Sequence, residues 1–190
     1  QEYLIDTVQK IVNCVYVTNE MLKIQFPQLH ANLPRELLAI TTQELEDLYP
    51  DLSPKERENA FVKEHKTACI MQIGDLLRSG IRHDGRAPDY DDWTLNGDIL
   101  FWHETLGCAL EISSIGIRVD AKAMDEQLTK AGCDDRRALE FHRMVLNNEL
   151  PLTMGGGIGQ SRLCMLLLGK AHIGEVQVSL WDGETKRICR

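Results

Sequence analysis

Apolar residues Leu4, Val8, Ile11, Val12, Val15, Met21 and Leu22 recur close to helical spacing and predict an amphipathic helix running to about Gln25, ended by Pro27. Leu37-Leu38-Ala39-Ile40 predicts a short strand over Glu36 to Ile40. Thr41-x-x-Glu44 then forms a capping box that opens a helix to about Leu48. A second box, Ser53-Pro54-x-Glu56, places proline at the first helical position, where its missing N–H costs nothing, and that helix runs to about His65. The apolar run Thr67 to Ile73 predicts a buried strand. Asp98 to His103 and Cys108 to Val119 predict an antiparallel hairpin turning at Glu104 to Gly107. Two helices follow, at about Ala121–Lys130 and Asp134–Asn147, with Pro151 as the stop. A glycine run, Gly155-Gly156-Gly157-Ile158-Gly159, opens a helix over Gln160 to Leu168, and Val176 to Leu180 reads as a last strand. Helices and antiparallel strands in mixed order, with no βαβ rhythm, indicate an α+β fold.

The length of 190 residues fits one domain over 1–190. With 43% hydrophobic and 26% charged residues, the chain can bury a real core. A net charge of −8 without any basic block argues against a nucleic-acid binder, although a local cationic pocket is still compatible with it. No stretch approaches the roughly 18 apolar residues of a membrane span, so no membrane partner is expected. Cysteines at 14, 69, 108, 133, 164 and 189 show neither a C-x-x-C pair nor zinc spacing and read as free thiols in a reducing, cytoplasmic compartment. The start, Gln1-Glu2-Tyr3, has neither a signal peptide's basic and apolar regions nor an initiator Met, so the chain is expected to begin partway into a longer protein.

Three groups of residues could carry chemistry. If the hairpin turn centres between Thr105 and Leu106, Leu100 lies opposite Glu111 and Asp98 opposite Ser113, so Asp98 and Glu111 share a face. Two such carboxylates call for a cation, and hard oxygen ligands beside a nucleotide phosphate suit Mg²⁺. On composition alone an exposed acidic face is the commoner outcome. The flanking Leu100, Trp102, Leu110, Ile112, Ile115 and Ile117 point instead to a buried strand pair, where unpaired carboxylates are costly. The second group is GGGIGQSR, 155–162, whose glycines allow close backbone approach and whose helix start, with Arg162 in the first turn, can grip an anion. A purely structural turn explains the glycines as readily. The third is RHDGRAPDYDDW, 82–93, a dense charged loop between apolar strands; it could bind an ammonium group or simply be solvated.

RAPDYDDW (86–93), NGDILFW leading into LEISSIGIRVD (96–102 and 110–120) and GGGIGQSRLCMLLL (155–168) together resemble ammonia-dependent asparagine synthetase. The last segment is also similar to motif 3 of class II aminoacyl-tRNA synthetases, and the resemblance extends to the first helix and YPDLSPKERE (49–58). It implies a class II synthetase-like antiparallel sheet flanked by helices. It also implies an ATP-dependent ligase that converts L-aspartate and ammonia to L-asparagine through β-aspartyl-AMP, releasing AMP and pyrophosphate.

By position, the resemblance assigns Arg162 to the ATP phosphates, with Gly156 and Gly157 beside them. It assigns Asp98 and Glu111 to Mg²⁺ or nucleotide. Ser113, Ser114 and Arg118 fall to the substrate, and Asp91 to the amino acid and incoming ammonia. A homodimer is implied as well. Motifs 1 and 2 of that fold have no counterpart in these residues, so the chain is expected to be the C-terminal part of a catalytic domain. Trp93 runs into Thr94 where the family usually has a longer loop, so either this protein has a short loop or residues are missing between 93 and 94. An aspartyl- or asparaginyl-tRNA synthetase relative, or a non-catalytic nucleotide-binding or dimerising piece, are the alternatives. A glutamine-dependent amidotransferase is disfavoured by the absence of an N-terminal cysteine.

Overall fold

The computed structural model describes residues 1–188; Cys189 lies outside them. Helix α1 spans Glu2–Gln25 and buries Leu4, Val8, Val12 and Val15 along one line, with Asn19 closing the line by donating to the Ala31 carbonyl at 3.0 Å. Each of these aliphatic side chains contributes on the order of 1.5–3 kcal/mol when fully buried. Strand β1 is Leu38–Thr41 and α2 is Thr42–Leu48. Helix α3, Pro54–His65, leads into the fully buried β2, Thr67–Met71. Both predicted capping boxes form, at Thr41/Glu44 and Ser53/Glu56.

The long strands are β3, Asp91–His103, and β4, Cys108–Arg118, followed by α4, Ala121–Ala131. A 3-10 turn at Asp134–Ala138 and α5, Glu140–Leu146, replace the single helix expected over 134–147. The break falls at Leu139, whose backbone is extended (φ −70°, ψ 149°). Strand β5, Met154–Ile158, precedes α6, Gln160–Leu168, and the last helix, α7, is Gly183–Ile188. The predicted strand over Val176–Leu180 does not form; Val178 and Leu180 are fully exposed and have no neighbouring strand to pair with.

The sheet runs β1-β2-β3-β4-β5, antiparallel throughout except that β1 is parallel to β2. Two cores cover its faces. On one side α1 and α6 pack on Cys69, Ile99, Phe101, Ile112 and Ile115. On the other, α2 and α3 pack on Ile70, Leu100, Trp102 and Ala109. A third cluster, Val119, Met124, Leu128 and Val145, seats α4 against α5. No helix is long and apolar enough to cross a membrane among the described residues.

The β3–β4 ladder departs from regular pairing at two points. The register shifts between Asp91 and Asn96, where β3 runs directly from Trp93 to Thr94. It shifts again at Ile99/Leu100: Leu100 faces Glu111 as expected, but Ile99 faces Ser113 and Asp98 faces Ser114. Ile112 is therefore the extra residue of a β-bulge.

Candidate active site

Strand alternation and the bulge decide which side chains meet. Ile112, Ser113 and Ile115 point into the α1 core, Ser113 at 2% exposure with its hydroxyl unpartnered. Glu111, Ser114, Gly116 and Arg118 are left on the opposite face, with Asp98 beside Ser114 and Gly157 on the far side of Ser114. The expected Asp98–Ser113 pairing is thus corrected to Asp98–Ser114, and Ser113 does not reach the face that carries the other candidates. The bulge achieves this by putting one more residue in β4 than the partner strand can match.

Asp98 is 6% exposed and pairs with Arg86, which arrives from the 82–93 loop. Burial pushes the Asp98 carboxyl above its ordinary range; Arg86 offsets part of that, and neighbouring Glu111 raises it further. One carboxylate oxygen, Oδ1, has no hydrogen-bond partner. Glu111 receives Arg162 at 3.4 Å, and the same guanidinium donates to the Glu111 carbonyl at 3.1 Å. Two neighbouring carboxylates on the sheet are therefore each met by a guanidinium, Arg86 from the loop and Arg162 from α6.

A Mg²⁺ fits this donor set in a limited way. No cluster of three or more metal-ligating side chains exists among the described residues. The unpartnered Asp98 oxygen and nearby Glu111 supply the one or two carboxylates that Mg²⁺ takes when phosphate oxygens and water complete its shell.

The second half of the face centres on Asp91, 4% exposed and paired with Arg118. Burial again raises the Asp91 carboxyl, against the pull of Arg118 and Arg86. The Arg118 guanidinium also lies 3.9 Å from the Tyr90 ring centroid, a cation–π contact that fixes its plane. Glycines make room for this pair. A Cβ on Gly116 would stand 2.6 Å from the Asp91 carboxyl carbon, and one on Gly155 would stand 2.5 Å from Arg118 Nη2. Gly156 is glycine for a different reason, since its Cβ would meet Ile115 at 2.9 Å on the core side. Gly157 faces open space beside Ser114.

The structure thus gathers Asp91, Asp98, Glu111, Ser114, Arg118 and Arg162 on one face and leaves Ser113 and Gly156 on the other. Sequence reasoning gave no role to Arg86, although it opens the segment 86–93. It also passed over Gly116 and Gln127, and it read Gly155 only as part of the glycine run, not as room for Arg118. A glutamine on an amphipathic helix carries no signal until its partners are known.

A profile of the family described as AsnA, aspartate-ammonia ligase, matches residues 1–190. The chain belongs to the aspartate–ammonia ligase family. The aspartate–ammonia ligase of Fusobacterium nucleatum is 56% identical over 190 residues, covering 100% of this chain and 58% of that protein. That of Ligilactobacillus salivarius is 58% identical over 190 residues, covering 100% of this chain and 56% of that protein. The chain thus spans a little over half the length of these curated relatives. Among solved structures, an aspartyl-tRNA synthetase from Entamoeba histolytica superposes with a TM-score of 0.62 at 17% identity, over 96% of this chain and 41% of that one. The fold of this family member is accordingly like that of class II aminoacyl-tRNA synthetases, and it matches only part of their chains.

Proposed function

We propose that the protein carrying this chain is an AMP-forming aspartate–ammonia ligase that uses ATP to make L-asparagine, with the sheet face of Asp91, Asp98, Glu111, Ser114, Arg118 and Arg162 as its active site. The observation behind this is the set of three carboxylate–guanidinium pairs on one face of a chain whose residues 1–190 match the ligase family. In the first step an oxygen of the aspartate side-chain carboxylate attacks the α-phosphorus of ATP, and the bond to pyrophosphate breaks. In the second, ammonia attacks the activated carbonyl carbon, the bond to AMP breaks, and the nitrogen loses a proton.

Arg162, at the start of α6 with half its side chain exposed, is free to leave Glu111 for the triphosphate. There it offsets charge that builds on the phosphates in the transition state. Gly157 lets phosphate approach the backbone beside Ser114, and Gly156 helps by packing β5 close to β4. Asp98 and Glu111 would hold Mg²⁺, which supplies further neutralisation of phosphate charge when bound. Arg118 recognises a carboxylate of aspartate, and Asp91 holds the amino group and the incoming ammonia. A carboxyl raised by burial is suited to accept a proton from ammonium or from the product. Positioning and electrostatics do most of the work, because a carboxylate attacking phosphorus needs little acid–base help.

We further propose a homodimer acting in the cytoplasm. We also propose that the loop expected at 93–94 from the family resemblance would enter at the register break between Asp91 and Asn96.

The test pairs intact mass of the purified protein with pyrophosphate release and asparagine formation, with and without ammonium and tRNA. The expected result is asparagine and AMP formed only with ammonium and without tRNA. Aminoacylation of tRNA in place of free asparagine would overturn the reading.

A further inference from the structure

Gln127 lies on α4, between Met124 and Leu128, both fully buried in the cluster that seats this helix. It is itself 5% exposed and touches neither Arg118 nor Asp98 by hydrogen bond. Its side-chain amide is spent entirely on the main chain of residues 88–93, where the loop enters β3. The oxygen accepts from Trp93 N–H at 2.8 Å, and the nitrogen donates to the Pro88 carbonyl at 2.9 Å and the Asp91 carbonyl at 3.0 Å. One amide therefore closes the segment 88–93 around Asp91, using one acceptor and both donors.

We infer that Gln127 is a positioning residue for the ligase reaction, holding Asp91 where it meets Arg118 and so governing aspartate binding and capture of ammonia. The inference rests on the proposed ligase activity. Three features make the amide hard to replace. Asp91 has little freedom of its own, wedged where a Cβ on Gly116 would collide with it. The register break comes immediately after Asp91, so the ladder does not fix residues 92–95. And the three partners need an acceptor and two donors at one reach, which only glutamine supplies. Asparagine falls a methylene short, and glutamate turns an oxygen toward two carbonyl oxygens. Of the loop's other attachments, Val119 N–H donates to the Tyr90 carbonyl at 3.1 Å and so holds the residue before Asp91, but that bond does not reach Trp93. The rest lie further away, with Asp89 held by His142 at 2.9 Å and Arg136 at 2.8 Å, and His83 by Glu58 at 3.0 Å.

The test compares wild type, Gln127→Met and Gln127→Glu in the full natural chain. Aspartate, ATP and ammonium are varied separately, and hydrogen exchange is followed at residues 88–93. In wild type, asparagine formation decides the ligase reading. Given that activity, Gln127→Met should raise the KM for aspartate at least about tenfold, leave the KM for ATP within about twofold, and speed exchange at Trp93. Gln127→Glu should show the same defect at neutral pH. Relative to wild type it should recover as acid protonates the carboxyl and restores an O–H donor, a response that a general loss of packing would not give. Equal changes in the aspartate and ATP constants, or none with Trp93 exchange unaltered, would overturn the inference while leaving the ligase reading intact. Should Gln127→Met fail to fold, the pH response of Gln127→Glu decides alone.

Discussion

Arg162 and Asp98 show how differently two charged residues on the same face are held. Arg162 is half exposed and touches Glu111 at 3.4 Å, a contact of small energetic weight in the absence of ligand. Replacing it by alanine should barely change thermal stability, yet should cost about 2–3 kcal/mol in kcat/KM, as removal of a donor to developing charge does. Full-length steady-state kinetics beside a melting curve would check both halves. Asp98 is the reverse case. Its folded-state pKa lies above the ordinary carboxylate value because burial outweighs Arg86, so its ionisation opposes folding. Its favourable contribution is present in acid and is lost as pH rises through the raised pKa. Asp98→Asn should therefore match or exceed wild type in Tm at neutral pH, with the advantage shrinking as the pH is lowered, while ATP-dependent activity falls. A lower Tm for the variant at neutral pH would contradict this account.

Among the elements, β5 shows most clearly what glycine is for. Gly155→Ala would drive a methyl group into Arg118, the movable end of a long side chain, so activity should drop by about tenfold or more with little change in stability. Gly157→Ala meets nothing within 4 Å and should leave stability alone. Melting curves and turnover on both variants separate the two. The helices depend on burial and on internal pairing. Arg57 and Glu46, 5% and 7% exposed and 3.0 Å apart, tie α3 to α2, with Ser79 donating to the same carboxylate at 2.8 Å. Arg57→Ala should cost about 3–5 kcal/mol by stranding that carboxylate, readable as a loss in chemical denaturation.

These elements were not equally legible in the sequence. Both capping boxes and the stripe of α1 were plain, because local hydrogen bonding and periodicity carry them. Strand β5 was not, because a run of glycines has no side chains whose alternation could be read. Val176 to Leu180 alternates like a strand but finds no partner, and pairing, which makes a strand, is not written locally. The bulge at Ile112 and the clasp made by Gln127 depend on contacts across the fold. The acidic and basic residues of the face could be chosen in advance, but not which of two adjacent serines would join them.

At the scale of the whole molecule, β1 and β5 are the edges of the sheet, unpaired on their outer sides among the described residues. Beside β5 an apolar groove of about 330 Å³ runs between α1 and α6, lined by Ile11, Cys14, Val15, Ile158, Leu163 and Leu167. Val17, Met21 and Ile24 stand exposed further along the same helix. Open edges beside apolar surface favour association, so the 190-residue chain expressed alone should self-associate in sedimentation velocity as concentration rises. A stable monomer at high concentration would count against that. The same sheet carries residues drawn from 86 to 162 to one face, and the bulge is what brings β4 into line. Glu111 and Arg118 are an odd number of positions apart, which in an unbroken strand would point them to opposite sides. The extra residue restores the parity. Loss or gain of a single residue between Glu111 and Ser114 would therefore turn one end of the face away from the other without altering any side chain that belongs to it, and lineages of this protein should tolerate substitutions there far more readily than changes in length.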